Sequence, residues 1–337
     1  MYEIFCPKDG YTPKYGIIDT QREIKFIKDN FQNNLANALN LERISAPLFV
    51  FASTGLNDNL TGTERPVAFD VKAIALEEVQ VVQSLAKWKR DALARYGFQP
   101  GHGLYTDMNA IRRDEVLDNL HSIYVDQWDW ELVIEREQRT EQTLREVVEK
   151  IYACILDTHY AVCKHYPLHK PFLSETIHFI TTQELEDRYP YLSPKERENA
   201  ICKELGAVFL MQIGWPLRSG IRHDGRSPDY DDWTMNGDIL VWYEPLQMAV
   251  ELSSMGVRVD EHSLVEQCVR SGAEERLTLP YHQALLGKRL PYTIGGGIGQ
   301  SRLCMLYMEK AHIGEVQASI WPQEMVRDCE RYGMFLL

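Results

Sequence analysis

Two strand-like runs, Asp238 to Tyr243 and Ala249 to Asp260, are separated by one short turn near Glu244-Pro245. A connection of that length joins antiparallel strands, because a parallel pair needs a crossover of about a dozen residues or more. Other segments agree. Ser122 to Val133 alternates as a strand does, with Ile123, Val125, Gln127 and Asp129 on one face and Tyr124, Asp126, Trp128 and Trp130 on the other. Ala207 to Ile213 reads as a buried strand, and a last strand runs into Gly295-Gly296-Gly297-Ile298-Gly299. The regular strand–helix alternation of a parallel, doubly wound fold is missing. The sequence therefore predicts an α/β protein of the α+β type, with a large, mostly antiparallel sheet flanked by helices.

The helices are signalled by period and by caps. Thr20 with Glu23 forms a capping-box pattern, and Ile24, Ile27, Phe31, Leu35 and Ala38 follow at helical spacing. After Leu41 the run Arg43 to Val50 reads as a strand, with Pro47 at an edge or an interface because it cannot donate to a ladder. Ala75 to Leu93 reads as a second helix carrying Ser84, Lys87, Lys89 and Arg90, and Arg136 to Lys164 as a long one with a solvated charged face. Ser193-Pro194-Lys195-Glu196 opens another, which ends near Gly206. No repeat or linker divides the 337 residues. One catalytic domain is expected over 1–337, with 1–19 as an N-terminal extension and motif-like segments near 20–50, 105–131 and 290–310.

Composition excludes some partners. A net charge of −13 disfavours non-specific nucleic-acid binding, but not a small anion in a local basic pocket. The seven cysteines are odd in number and lack CxxC spacing, as in a reduced, cytoplasmic protein without a disulfide framework or zinc site. Neither a membrane-length apolar run nor a signal-peptide core is present.

The glycines before Arg302 point to a nucleotide. The dinucleotide fingerprint would need glycine where Arg302 stands, and no Gly-Lys-Ser/Thr makes a P-loop. A nucleotide site of a third kind is implied, with glycines letting a flat ligand approach the main chain. A flexible turn before a core helix would also explain them. Several strands, however, carry polar residues where apolar ones are usual: Asp126, Gln127 and Asp129; Asp238; and Glu251, Ser253, Ser254 and Arg258. Together they suggest a shared polar floor, since buried charges need partners. Arg112 and Arg302 suit a polyphosphate, and Asp238 and Glu251 are hard oxygen donors for Mg2+. No activated nucleophile is apparent. Ser253 and Ser254 lack a histidine signature, Cys304 falls in a core helix, and His223 reads as a surface or hinge histidine before a base.

These residues resemble a known family. Thr20 to Pro47, Arg112 and Gly295 to Arg302 are similar to the three motifs of class II aminoacyl-tRNA synthetases. Longer segments are more specific: Asp58-Asn59-Leu60-Thr61-Gly62, Ser84 to Arg90, Tyr124 to Glu131, Pro228 to Trp233, Asn236 to Trp242 and Glu251 to Gly256. All resemble the ammonia-dependent asparagine synthetases, the aspartate–ammonia ligases, from about Thr20 to the C-terminus. The chain departs from the family pattern in the short stretch between Trp233 and Asn236, where a longer loop occurs, and at Gln83, where histidine is familiar.

The resemblance implies a reaction of L-aspartate, ammonia and ATP through a β-aspartyl-adenylate, with Mg2+, in a cytoplasmic homodimer. It implies Arg112 on the α-phosphate and Arg302 at the pyrophosphate end. Gly295, Gly296, Gly297 and Gly299 would line the ATP site, and Asp238 and Glu251 the metal. Asp58 would be the base for ammonium, with Gln127 positioning. Ser84, Lys89 and Arg258 would meet the substrate carboxylate, Asp129 or Asp231 its ammonium, and Ser254 would stand with them. Lys87 and Arg90 could as well be surface charges. Aspartyl- or asparaginyl-tRNA synthesis is the alternative, disfavoured by the charge and by the absence of length for an anticodon-binding barrel. A nucleotide-sensing paralogue would lack Arg112 or a metal ligand. Glutamine use would need an amidotransferase domain with an N-terminal cysteine, and Cys6 has no such context.

Overall fold

The structure, a computed structural model, describes residues 2–58, 60 and 64–337. Asn59, Thr61 and Gly62 of the 58–62 segment lie outside the described residues. The strands are β1 Leu41–Arg43, β2 Phe49–Phe51, β3 Ala68–Val71, β4 Ile74–Val81, β5 Gly103–Ile111, β6 Tyr124–Val133, β7 His178–Thr181, β8 Ala207–Met211, β9 Asp231–Tyr243, β10 Met248–Arg258 and β11 Thr293–Gly299. The helices are α1 Ile17–Leu39, α2 Ala86–Tyr96, α3 Glu141–His165, α4 Thr182–Arg188, α5 Pro194–Leu205, α6 Glu261–Ser271, α7 Pro280–Leu286, α8 Gln300–Tyr307 and α9 Gln323–Arg331. Eight strands form one sheet in the order β1-β5-β6-β11-β10-β9-β8-β7. Only the outer pairs, β1 with β5 and β7 with β8, are parallel. The short turn after Tyr243 makes β9 and β10 a hairpin, as expected. The remaining three strands form a small sheet, β2-β4-β3.

The two faces of β6 explain the layers. Trp128 and Trp130 are fully buried against Phe31 and Leu35 of α1 and Leu144, Val148 and Ile151 of α3, with α8 in the same core. A second, smaller core lies across the sheet, where Trp88 and Leu93 of α2 meet Leu104 and Met108 of β5. Between these layers the sheet carries its polar residues.

Four sequence expectations need correction. First, α1 begins at Ile17 with Gly16 as its cap, so Thr20 and Glu23 cap nothing. Both extend the buried stripe of Ile27 and Phe31, and Glu23 Oε1 meets His169 Nε2 at 2.7 Å inside the fold. Second, the run after Leu41 splits into β1 and β2, with half-buried Pro47 between them where a ladder donor is missing. Third, residues 74–81 are the central strand of the small sheet, and the second helix starts only at Ala86. Val79 and Val81 are buried while Glu78 is exposed, a period of two that the acidic pair disguised. The short stretch between Trp233 and Asn236 runs within β9. Fourth, the long helix starts late, at Glu141, capped by Thr140 Oγ1. The Ser193 box is as expected.

Candidate active site

One cavity of about 530 Å³ opens over β6, β10 and β11. All the sequence-derived site residues line it except Gly295 and Asp238. The glycines lie inside β11, with no left-handed φ among Gly295, Gly296, Gly297 and Gly299. Space, not backbone freedom, is what they supply. A methyl group at Gly297 would lie 2.5 Å from Gln127 Oε1 and 2.8 Å from Asp129 Oδ1, and one at Gly295 2.0 Å from Glu131 Oε2. They clear the floor for the polar side chains of β6.

That floor is a buried charge network. Arg258 donates through Nε and Nη2 to Glu131 (2.9 and 2.7 Å) and through Nη1 to Asp231. Thr293 Oγ1 donates to Glu131 Oε1 at 2.7 Å. Burial opposes ionisation of Glu131, but Arg258 and Lys89 prevail and hold it below the usual carboxylate range. Lys89 Nζ donates to Gly296 O at 2.9 Å and lies 3.2 Å from Asp129 Oδ2. Burial lowers the Lys89 ammonium despite these carboxylates. Asp129 Oδ1 is buried with no donor among the described residues. Burial likewise raises Asp231 against the pull of Arg258 and Arg226. The sequence reading missed Glu131, although it continues the Gln127, Asp129 alternation of β6.

At one end stands Asp58, 1% exposed. Its Oδ1 accepts Leu60 N–H at 3.0 Å, and its Oδ2 has no partner among the described residues. Burial, reinforced by Asp229 and relieved by Lys87, pushes its carboxyl up to about 6. Gln83 is beside it: Nε2 donates to Asp58 O at 2.9 Å, while Oε1 is buried without a donor among the described residues. Ser84 Oγ accepts Ala86 N–H at 3.1 Å at the start of α2. Asp229, also missed in sequence, anchors this end by accepting from Lys87 Nζ and His282 Nε2 at 2.8 Å each. Burial opposes its charge, but Lys87, His282 and Arg276 hold it well below the usual range. Lys87 and Arg90 are therefore not surface charges. Both are buried, and Arg90 donates to Val259 O (2.7 Å) and Pro291 O (2.8 Å). His223 is buried too, against Glu198 Oε1 at 3.0 Å, and does not line the cavity.

The other end is cationic. Arg112 stands one residue beyond β5; among the described residues its Nε is buried without an acceptor, and its nearest carboxylate, Glu115, is 3.9 Å from Nη1. Arg302 donates to two main-chain carbonyls, Glu251 O (3.0 Å) and Leu120 O (3.3 Å), which orient the guanidinium without cancelling its charge. Arg226 lines the same end and donates to Asp238 Oδ1. Burial, then the nearby Glu251, pushes Asp238 up to about 7 against that arginine. Two neighbouring carboxylates that repel each other, Asp238 buried and Glu251 half-buried, fit a divalent cation. Among the described residues no cluster of three or more His, Cys, Asp or Glu could hold a metal alone. A pair suffices for Mg2+, which keeps waters and takes phosphate oxygens.

An antiparallel sheet carrying an arginine beyond its hairpin strand and a second on a helix after a glycine strand defines a class II aminoacyl-tRNA synthetase-like catalytic domain. Solved structures agree on the fold. Asparaginyl-tRNA synthetase from Entamoeba histolytica superposes with a TM-score of 0.65 at 12% identity, covering 89% of this chain and 66% of that one. The enzyme from Pyrococcus horikoshii gives 0.64 at 14%, covering 90% and 70%. The chain itself belongs to the aspartate–ammonia ligase family, whose sequence profile matches residues 18–333. Aspartate–ammonia ligases from Ligilactobacillus salivarius and Clostridium perfringens are each 59% identical to it, covering 99% and 100% of this chain and 100% of theirs.

Proposed function

We propose that this ligase makes L-asparagine, AMP and pyrophosphate from L-aspartate, ammonia and ATP through a β-aspartyl-adenylate. The observation that carries the reading is the polarity of the cavity. Arg112 and Arg302, with no carboxylate within hydrogen-bond distance among the described residues, lie at one end, and the acceptors Asp58 Oδ2, Gln83 Oε1 and Asp129 Oδ1, without a donor among those residues, at the other. Polyphosphate fits the first end. A substrate ammonium and free ammonium fit the second.

Aspartate is seated with its α-carboxylate toward Lys89, Arg258 and Ser84. Its α-ammonium meets Asp129 Oδ1, with Asp231 and Ser254 alongside. A β-carboxylate oxygen attacks the α-phosphorus, and the bond to the bridging oxygen of pyrophosphate breaks. Arg112 stabilises charge growing on the α-phosphate while Arg302 holds the departing end. Asp238 and Glu251 would hold Mg2+, which when bound neutralises phosphate charge. Asp58 Oδ2 and Gln83 Oε1 accept from ammonium, Gln127 orients the acyl group, and Asp58 takes a proton. Ammonia then bonds to the acyl carbon, AMP leaves with the electron pair of the broken C–O bond, and the surplus proton on nitrogen passes to the departing phosphate or to solvent.

The test is product analysis without RNA. Equal AMP and asparagine, dependent on ammonium, are expected; pyrophosphate exchange with aspartate but no asparagine would move the assignment to another acceptor. Asp238→Asn and Glu251→Gln are expected to raise the Mg2+ concentration needed for half-maximal adenylate formation, and unchanged Mg2+ titrations would remove the pair from the metal site.

A homodimer and a cytoplasmic location complete the proposal. Leu48 and Phe49, beside Pro47, are half exposed and apolar, which supports a covered face there. All seven cysteines are free, as suits a reducing compartment, and no helix of the described residues is long and apolar enough to cross a membrane. Light scattering is expected to give twice the chain mass; a monomer would overturn the dimer.

A further inference from the structure

The connection between β5 and β6 runs from Arg112 to Ile123, well beyond the roughly two to five residues of an ordinary hairpin loop. Cavity residues occur at both of its ends, Arg112 at the start and Leu120 and His121 near the finish. A loop this long cannot fix a charged group unless something outside it removes its freedom.

Asn119 supplies that anchor. It is fully buried and does not line the cavity. Its Oδ1 accepts Phe5 N–H at 2.7 Å, and its Nδ2 donates to Phe5 O (3.0 Å) and Ala311 O (2.7 Å). Its own carbonyl accepts Ile313 N–H at 2.8 Å. Both amide protons are used, and one side chain joins three segments: the N-terminal strap, the β5–β6 loop and the turn after α8.

Neighbouring bonds reinforce the junction. Glu3 N–H donates to Leu117 O at 2.9 Å. Tyr11 Oη accepts Ala311 N–H at 3.2 Å and lies 2.8 Å from Glu315 Oε2. Asp118 Oδ1 accepts the N–H groups of Leu120 and His121, each at 2.7 Å, which closes the turn just after Asn119. The next residue delivers the effect to the site, because Leu120 O is one of the two carbonyls that orient Arg302.

We infer that Asn119 is a positioning residue for the phosphate half of the cavity, and that the strap at residues 2–11 belongs to the framework of that site. The inference rests on the reading of Arg112 and Arg302 as ATP ligands. Without the amide, buried Ala311 O and the half-buried Phe5 N–H and Phe5 O lose this partner, and the loop must move to satisfy them. Leu120 O moves with it, and Arg302 loses one of its two guides.

Two variants test this, Asn119→Ala and Phe5→Pro; the second removes the strap N–H that Asn119 accepts, together with the Phe5 ring that packs on the core. Both are compared with wild type by direct ATP binding and by KM for each substrate. The expected result is ATP affinity weakened about tenfold, the equivalent of one buried hydrogen bond, with KM for aspartate and ammonium unchanged. Unchanged ATP affinity with only a lower melting temperature or active fraction would overturn the inference. If Asn119→Ala does not fold, Phe5→Pro decides by the same readout. ATP binding is scored without turnover, so a wild-type protein that binds ATP but makes no asparagine would refute the proposed reaction, while the variants still decide the role of Asn119.

Discussion

Replacing Arg112 by alanine is expected to lower adenylate formation by about a hundredfold to a thousandfold while the fold survives. The expectation follows from what Arg112 does not do in the protein. Among the described residues its Nε is buried with no acceptor, and its nearest carboxylate, Glu115, is too distant at 3.9 Å for a hydrogen bond. Few internal bonds are lost with it, so little stability should go. A half-buried guanidinium in a cavity, held only by a long 3.9 Å contact to Glu115, is placed for charge that arrives with a ligand and grows during reaction. Arg258 is the contrast. Its donors are occupied by Glu131 and Asp231, so removing it strands two buried carboxylates and threatens the fold. Pyrophosphate exchange and thermal melting, measured together on Arg112→Ala, separate the two kinds of arginine. Near-normal exchange would remove Arg112 from the α-phosphate.

The sheet was legible in sequence wherever local signals agreed with the global fold. The β9–β10 hairpin needed only its short turn, and the Ser193 helix only its cap, proline and glutamate. The α1 start was misread because Thr20 and Glu23 satisfy a capping pattern yet continue the buried stripe, and nothing local says that His169 waits for Glu23. The 74–81 strand was misread because its acidic residues Glu77 and Glu78 face solvent side by side and mask the alternation of a strand that pairs with β3 and β2. In the site, residue types and positions were readable, but their pairing was not. Glu131 and Arg258 are 127 residues apart, and Lys87 and Asp229 are 142 apart. Whether a cation is already neutralised depends on such contacts across the sheet, and that decides which arginine is free to meet a phosphate. The glycines show the same limit. Sequence suggests backbone freedom, whereas the register places Gly297 opposite Asp129, where a side chain would collide with the floor.

Asp58→Asn is expected to leave adenylate formation intact and to slow the attack by ammonia about a hundredfold to ten-thousandfold, the usual range for a lost general base. The same substitution should stabilise the protein at neutral pH. The carboxyl is pushed up to about 6 from an ordinary 3.8, chiefly by burial. A raised acid contributes stability that is fully present below pH 3.8 and is lost as pH rises through about 6. Above that pH the fold bears an ionised buried carboxylate, a burden on the order of 3 kcal/mol that asparagine does not carry. Asparagine also keeps an oxygen for Leu60 N–H. Activity has the opposite sign. Only the ionised form takes a proton from ammonium, so single-turnover decay of the adenylate at saturating ammonium should rise with a midpoint near pH 6 and then level. The variant should melt higher than wild type at pH 8 and lack that rising limb. If it consumes the adenylate at wild-type rates, Asp58 is not the base. If it is slow but no more stable, the buried carboxylate is compensated in the fold. In the proposed mechanism, the cost of ionising Asp58, whose Oδ2 has no partner among the described residues, is what makes it a base near neutrality, and ammonium is the cation that completes it.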